Sequence, residues 1–255
     1  MLHLKSSDLY RQRETVTLQS GASFRTMYNK FDDAIDALLI LQHSFSFPDH
    51  IPSTPAERVR SHAAKWLYTS IFNFHASLSL AEQGFYRESV ILNRALLESL
   101  VRVSYLADKP EDIDRLPRMS EKIKNQLTIR ECFEHVIPGY YAIGYQWSSE
   151  FVHPGFASHI FKISPDGAGG SIPDMGIVFN AAWMRLCLNE HAMLLAGFLK
   201  TYSARYKEVL RYKNSSDKEN IQDATTGVVQ ALYGHINLNG EDTPWLKTTR
   251  PLWDM

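Results

Sequence analysis

The sequence predicts an all-α protein built as an antiparallel helix bundle. Apolar residues recur at helical spacing through several long segments, no run alternates convincingly between apolar and polar residues as a strand would, and most connections are short. The 255 residues are 44% hydrophobic, which is enough for a sizeable core. We therefore expect a single domain, with the bundle core in residues 23–160 and additional helices in residues 171–237.

The first three helices are predicted from their start and stop signals. Residues 1–22 lack periodicity and predict a loosely held arm, after which Ser23 is the predicted N-cap of the first helix. The second helix starts at Thr54, where the sequence Thr-Pro-Ala-Glu combines a threonine cap, an early proline and a glutamate at the third helical position. Gly84 is its predicted C-terminal cap. The uninterrupted stretch 87–107 is then the third helix.

The middle of the chain is predicted to contain two further helical stretches and one long loop. The helical stretches are residues 120–136 and 140–153, and the glycines and prolines of residues 154–173 predict the loop. A capping box at Ser171 predicts the start of a long helix that ends near Tyr206.

The C-terminal part is predicted to contain one more helix and a tail. The sequence Ser-Asp-Lys-Glu that starts at Ser216 opens a helix that ends near His235. The tail, residues 238–255, carries two prolines and two tryptophans. We expect it to pack over the bundle and not to form a domain of its own.

Composition and charge disfavour several classes of protein. A net charge of −1 and a pI near 6.8 do not indicate a basic nucleic-acid-binding face, although a local basic patch is compatible with both. The N-terminus has no apolar signal core, and the most apolar stretch, residues 181–199, contains arginine, asparagine, glutamate and histidine. We expect a cytoplasmic protein without a membrane segment. Cys132 and Cys187 lack disulfide or metal spacing and are predicted core residues, so no metal or other cofactor is predicted.

The third helix carries a line of polar side chains between apolar walls. At 100° per residue, Arg87, Arg94, Glu98 and Tyr105 lie within one narrow stripe of this helix. A helix that is apolar nearly all round is usually central, where charged groups must be paired. Arg94 and Glu98 are one turn apart and can pair. Two interpretations stay open: an ion pair that sets the helix register, or the floor of a polar cleft.

A second polar feature precedes the long loop. Ser149 and His153 are one helical turn apart, and Pro154 disfavours helical geometry at His153. The imidazole is therefore predicted at a helix C-terminus, where the helix dipole favours its protonated form. A histidine poised to exchange a proton is a candidate acid–base group. The alternative is a histidine that caps the helix or is satisfied in the core.

A basic run near the end of the predicted 171–206 helix is a candidate binding patch. It starts with Lys200 and Arg205 and continues through Lys207, Arg211 and Lys213. The run can be a solvated helix end whose charges suit the helix dipole, or a patch that contacts phosphate groups.

Residues 81–98, in which a glycine break precedes an Arg-x-x-x-Glu turn, resemble the two-helix signature of the HEPN superfamily. Together with the sequence Ser-Glu-Phe-Val-His-Pro at residues 149–154, they resemble a subgroup of uncharacterised bacterial proteins placed near that superfamily. The resemblance covers roughly residues 55–160. It implies an antiparallel four-helix bundle that is often dimeric.

The resemblance also implies an activity. Many members are metal-independent endoribonucleases of toxin–antitoxin, phage-defence or CRISPR systems, in which an arginine stabilises charge on the phosphate and a histidine moves a proton. For this chain it implies His153 as the acid–base group, Ser149 as the residue that positions it, and Arg94 and Glu98 as the polar floor. Other members are binding or scaffold modules, so a non-catalytic module that binds a partner protein or a second copy is the alternative.

One pair in the chain matches the arginine–histidine spacing of those ribonucleases. Arg130 and His135 are five residues apart, which places them about 140° apart on a helix, so they need not converge. His153 has no arginine four to six residues before it. We therefore expect Arg94, from another helix, to be the arginine that serves His153.

Overall fold

Helices form the framework of the computed structural model. The structure describes residues 6–46, 51–117, 125–145, 163–165, 171–173 and 179–237. Within these ranges there are six α-helices: α1 (Ser6–Ser44), α2 (Pro55–Glu82), α3 (Tyr86–Asp108), α4 (Ile129–Val136), α5 (Ala181–Arg205) and α6 (Ser215–Asn237). The predicted all-α class is confirmed. None of the described helices is long and apolar enough to cross a membrane.

The helix ends predicted around α2 are confirmed in atomic detail. The Glu57 amide donates to Thr54 Oγ1 over 3.2 Å, and the Thr54 amide donates to Glu57 Oε2 over 3.1 Å, which completes the capping box. At the other end, Gly84 has a φ of +84°, a conformation that glycine adopts without steric cost. The amide of Phe85 donates to the carbonyl of Leu80 over 2.8 Å, as in a Schellman motif.

The prediction of a loose N-terminal arm is wrong for residues 6–22, which belong to α1. Val16 and Ser20 are buried there, so tertiary packing holds a segment whose own pattern does not indicate a helix. The predicted start at Ser23 has a structural counterpart, because Phe24 leaves helical geometry and kinks α1 at that point.

The helix predicted over 120–136 is shorter in the structure. It begins at Ile129, and Thr128 caps it in a second capping box with Glu131. The four described residues before it, 125–128, are not helical, since the cap at Thr128 marks the first turn. Of the stretch predicted to follow, residues 141–145 form a single π-helical turn.

The predicted long loop contains one short hairpin among its described residues. Strand β1 (Ile163–Pro165) pairs antiparallel with β2 (Ser171–Pro173). Strands of three residues are too short to give a periodic signal in the sequence. The helix start predicted at Ser171 is therefore wrong. Helix α5 begins at Ala181, where Asn180 Oδ1 accepts from the Trp183 amide in the way an N-cap does.

The four longest central helices surround one core. Helix α1 packs against α2 and α5, and α3 packs against the same two helices; α6 covers α1 and α5. The connection of three residues between α2 and α3 makes these two helices antiparallel neighbours. Helix α5 instead runs parallel to α3, because Asn93 pairs with Glu190 and Ser104 with Thr201. The part of the chain predicted as additional C-terminal helices thus contributes α5 to the centre.

The contact between α3 and α5 is unusually close at Gly197. A Cβ atom at this position would lie only 2.8 Å from Leu100 Cδ2. The predicted cysteine burial is confirmed in the same interior: Cys132 and Cys187 are both buried, and burial raises the pKa of each thiol. A 3-10 helix, Pro110–Arg115, follows α3 and packs against α2.

Candidate functional site

The ion pair predicted between Arg94 and Glu98 is present, and Tyr145 completes it. Arg94 Nε lies 3.4 Å from Glu98 Oε1, though without hydrogen-bond geometry. Arg94 Nη2 donates to the Tyr145 hydroxyl over 2.6 Å, and that hydroxyl donates to Glu98 Oε1 over 2.7 Å. The guanidinium carbon is also 4.6 Å from the centre of the tyrosine ring. We call these three residues the Arg94 cluster.

The Arg94 cluster lies at the edge of the core. The side chains of Arg94 and Glu98 are 16% and 24% exposed, whereas Tyr145 is buried. Burial raises the pKa of Tyr145, so its hydroxyl stays protonated and can accept from arginine while it donates to glutamate. Arg94 and Glu98 of the predicted stripe therefore form a half-buried, mutually bonded group, and we call this part of α3 the polar seam.

A second arginine extends this seam by one turn of α3. Arg102 Nη1 lies 3.6 Å from Glu98 Oε2, so Glu98 is shared between Arg94 and Arg102. The sequence interpretation missed Arg102, although its i, i+4 spacing from Glu98 is the same signal that indicated the first pair.

The seam leads into a cavity between α2, α3 and the 3-10 helix. Its volume is about 390 Å³. Two of its lining residues, Arg58 and Asp114, form a two-pronged ion pair with distances of 2.7 and 2.9 Å to the carboxylate oxygens. We call it the α2–α3 cavity, and its lining residues are Arg58, His62, Trp66, Arg102, Ile113, Asp114, Leu116 and Pro117.

Two other residues of the predicted stripe do not join the Arg94 cluster. Arg87 lies at the start of α3, 3.8 Å from Glu88. Tyr105 lies near the other end of α3, where its hydroxyl donates to Asp112 Oδ2 over 2.5 Å. Burial and this hydrogen bond raise the pKa of Tyr105 to about 12. The narrow stripe on the helix wheel thus divides into separate local clusters.

Of the basic run predicted as a phosphate patch, Lys200 and Arg205 lie on the last turns of α5, and the other three residues follow the end of that helix. Lys200 is half-buried, and Arg205 forms an ion pair with Asp108. Asp108 also lies 3.2 Å from His135 Nε2, so it joins α3, α4 and α5. Arg130 lies over the ring of Tyr141, 5.7 Å from the ring centre, whereas His135 contacts Asp108 and the ring of Tyr105.

The remaining two predicted site residues, Ser149 and His153, lie outside the described residues, as do residues 1–5 and the tail from residue 238. Tyr145 is the last described residue before that serine and histidine. The structure therefore brings together Arg94 and Glu98 of the predicted site, and adds Tyr145 to them.

A second polar cluster, which the sequence interpretation missed, lies on another side of α3. Ser77 Oγ donates to Asn93 Oδ1 over 2.6 Å and lies 3.0 Å from Ser89 Oγ, and Asn93 Nδ2 donates to Glu190 Oε2 over 3.3 Å. All four residues are buried. Burial raises the pKa of Glu190 to about 8, because a carboxylate is poorly solvated there. We call these residues the Asn93 cluster.

His191, next to Glu190, is buried between two aromatic rings. Its ring centroid lies 5.1 Å from that of Phe31 and 5.0 Å from that of Phe74. Neither of its ring nitrogens has a hydrogen-bond partner in the described part of the chain. Burial lowers its pKa to about 3, so the ring is neutral at ordinary pH.

Comparison with known proteins gives this site no precedent. No protein-family model, no curated protein and no solved structure matches the chain. Among the described residues, no group of three or more histidine, cysteine, aspartate or glutamate side chains is placed to hold a metal ion. The chemistry of the site therefore has to be inferred from its own geometry.

Proposed function

We propose that this protein is a HEPN-like effector that binds RNA and cleaves it without a metal ion. The observation that carries the proposal is the contact of Tyr145 with Arg94 and Glu98. The chain continues from Tyr145 into the segment that holds Ser149 and His153. Ser149 and His153 follow Tyr145 by four and eight residues in the sequence.

The residues of the seam suit the charge of a phosphodiester. A guanidinium has five N–H donors, and in Arg94 one nitrogen donates to Tyr145 while Nε makes no hydrogen bond to a described residue. Arg94 therefore keeps donors for a phosphate oxygen, and Arg102 adds a second positive charge one turn beyond Glu98. Together they can stabilise the charge that develops on a phosphate during cleavage.

In the proposed reaction His153 exchanges protons with the substrate. It accepts the proton of a ribose 2′-hydroxyl as that oxygen attacks the adjacent phosphorus, and a proton returns to the 5′-oxygen as the P–O5′ bond breaks. The products are a cyclic phosphate and a free 5′-hydroxyl. Ser149 positions the imidazole, and the Arg94 cluster faces the phosphate.

Cleavage of labelled RNA in the presence of EDTA tests this proposal. We expect His153→Ala to lower the rate by about 100- to 10,000-fold, the range over which a general acid–base group acts. His43→Ala is the matched control, because His43 is exposed on α1 and bonds only locally, to the carbonyl of Leu39. Undiminished cleavage by the His153 variant, with unchanged helical content, would contradict the assigned role.

A non-catalytic helical module is the second candidate. It is favoured by the mutual contacts of the Arg94 cluster, in which arginine donates to tyrosine, tyrosine donates to glutamate and the two ions pair, as in a structural polar network. Such a module would bind a partner protein or a second copy of this chain. Light scattering at micromolar concentration tests the homodimer, and a strict monomer that cleaves RNA would leave only the first candidate.

A further inference from the structure

We infer that the α2–α3 cavity is a binding site for a small organic anion, a phosphate or carboxylate group joined to a flat ring. The inference does not depend on RNA cleavage. The cavity volume of about 390 Å³ falls within the range of roughly 300–1,000 Å³ that ligand pockets have. Its walls combine guanidinium groups with an indole ring, and these are the two surfaces that such a ligand needs.

Arg102 is the group that would hold the anion. Its side chain is 27% exposed, and its contact with Glu98 is a long ion pair of 3.6 Å. In the part of the chain that the structure describes, Arg102 makes no hydrogen bond, and its Nε is buried without an acceptor. Arg102 is thus a half-buried guanidinium that lines the cavity and has unused donors. The forked arrangement of those donors matches the spacing of two oxygens of a carboxylate or phosphate.

The net charge of the cavity also favours the binding of an anion. Among the lining residues, Arg58 and Arg102 supply two positive charges and Asp114 supplies one negative charge. Arg58 is already engaged by Asp114 through both terminal nitrogens, and its Nε is buried without an acceptor. One bound anion would therefore balance the charge of the site and provide the missing acceptor for Arg102.

The ring of the ligand would lie against Trp66. Trp66 is half-buried, and the ring of His62, one turn earlier on α2, lies 5.7 Å away at an angle of 47°. Arg58 is one further turn back, so a single face of α2 presents a cation, an imidazole and an indole in succession. Ile113 and Leu116 supply an apolar wall from the opposite side. A planar group fits between such surfaces better than an alkyl chain.

Occupancy of this site would be coupled to the Arg94 cluster through Glu98. Glu98 is shared between Arg102 and the Arg94–Tyr145 pair. An anion that becomes the counter-ion of Arg102 leaves the carboxylate wholly to Arg94 and Tyr145. Because such coupling is reciprocal, a change in the Arg94 cluster must alter the affinity for the anion.

Calorimetric titration with phenyl phosphate, benzoate and inorganic phosphate tests the inference. We expect phenyl phosphate or benzoate to bind saturably, and inorganic phosphate, which lacks the ring, to bind at least about tenfold more weakly. The comparison of phenyl phosphate with benzoate decides which acid group the site prefers. Absence of saturable binding of both aryl anions at millimolar concentration would overturn the inference.

Variants locate the binding within the cavity. We expect Arg102→Gln to weaken binding of the preferred aryl anion by at least about tenfold, since a charge-assisted hydrogen bond is lost. Trp66→Leu should weaken it as well, whereas Trp66→Phe, which keeps an aromatic face, should retain it. Arg60→Gln is the matched control, because Arg60 is on the same helix but lines a different cavity. Full affinity in Arg102→Gln, or equal affinity in both Trp66 variants, would refute the assignment.

Discussion

Two polar clusters on different sides of one helix each accommodate a carboxyl group that is partly or fully removed from water, and they do so in different ways. Asn93 and Arg94 are adjacent in α3, and the turn of about 100° between them points one side chain into the sealed core and the other to its edge. At the edge, Arg94 and Glu98 form an ion pair and share a tyrosine. In the core, Glu190 accepts from a neutral amide and holds its own proton at neutral pH.

The difference shows how solvent access determines the protonation of a carboxyl group. An ion can stay charged where water and a counter-ion both reach it, because little solvation is lost. A carboxylate sealed between helices loses that solvation, and protonation costs less than an unpaired charge. Substitutions in the two clusters should therefore differ most in how their effect on stability depends on pH.

The largest effect is expected at Glu190. Its pKa is near 4.5 in an unfolded chain and about 8 in the folded protein, so between these values only the folded state keeps the proton. Stability should then fall as pH rises from about 4.5 to about 8. Each pKa unit corresponds to about 1.36 kcal/mol. We expect Glu190→Gln, which cannot ionise, to be more stable than the wild type by a few kcal/mol at pH above 8.

Urea unfolding at a series of pH values measures this effect. His191 contributes the opposite slope, since its pKa is lowered from 6.5 to about 3, so stability rises with pH between those values. Between about pH 6.5 and 8 the slope due to Glu190 is therefore no longer offset by that of His191. Parallel stability profiles of wild type and Glu190→Gln in that interval would show that Glu190 is not protonated in the fold.

The next largest effect is a gain of stability at His191. Both ring nitrogens are buried without partners in the described residues, and an unsatisfied buried polar group costs about 1–3 kcal/mol. We expect His191→Leu, which has a similar volume and no polar atoms, to raise the free energy of unfolding by about 1 kcal/mol at pH 7. Thermal melts and urea titrations check this value.

The control for His191 is a polar residue of the same core that does have partners. Asn93→Leu removes the hydrogen bonds to Ser77 and Glu190, and although Ser77 keeps its contacts with Ser89, Glu190 loses the donor that Asn93 provides. It should therefore lower stability by about 1–3 kcal/mol. If both substitutions shift stability in the same direction, hydrogen bonding does not distinguish the two residues.

At the Arg94 cluster the expected effect is smaller. Tyr145→Phe removes a hydroxyl that accepts from Arg94 and donates to Glu98, but the ion pair remains and water reaches it. We expect a loss of about 1 kcal/mol. Tyr141→Phe, in the same π-helical turn, should change stability by less than half as much, because its hydroxyl makes no hydrogen bond to a described residue. Equal losses would mean that the Tyr145 hydroxyl contributes nothing specific.

The smallest effect is expected at the ion pair that lines the α2–α3 cavity. Arg58 and Asp114 are 35% and 55% exposed, and exposed ion pairs contribute about 0–1 kcal/mol. Arg58→Ala should lower stability by about 0.5 kcal/mol at low salt, with the difference vanishing in molar salt as the charges are screened. A larger loss that persists in molar salt would indicate that the aliphatic part of Arg58 packs more strongly than its charge pairs.

Helix ends that depend on capping residues close together in sequence could be predicted well. Helical segments that depend on packing against distant residues could not. The start of α2 at Thr54 and the end at Gly84 were predictable because both depend on residues a few positions apart. The capping box at Thr128 was equally visible in the sequence, yet the helix was predicted to include residues 125–128, which precede its first turn. The first half of α1 could not be predicted, because Val16 and Ser20 are covered by distant parts of the chain.

In the candidate site, too, contacts within one helix could be predicted and contacts between distant parts of the chain could not. The Arg94–Glu98 pair follows from spacing along one helix and was predicted. Its third member, Tyr145, is 47 positions from Glu98, and Glu190 is 97 positions from Asn93, so no local pattern could indicate either contact. The roles assigned to Ser149 and His153 stay predictions.

Gly197 allows α3 and α5 to approach closely near a buried polar contact between the same two helices. Gly197 and Leu100 each lie seven positions, or about two helical turns, beyond the partners Glu190 and Asn93. The separation of α3 and α5 at Gly197 therefore affects the distance between Asn93 and Glu190. With a methyl group there, either the buried Leu100 side chain or the two helices must shift. The hydrogen bond between Asn93 and Glu190 is already 3.3 Å long, so a wider separation of the helices would break it. A residue with no side chain thus helps a buried acid two turns away to keep its hydrogen bond.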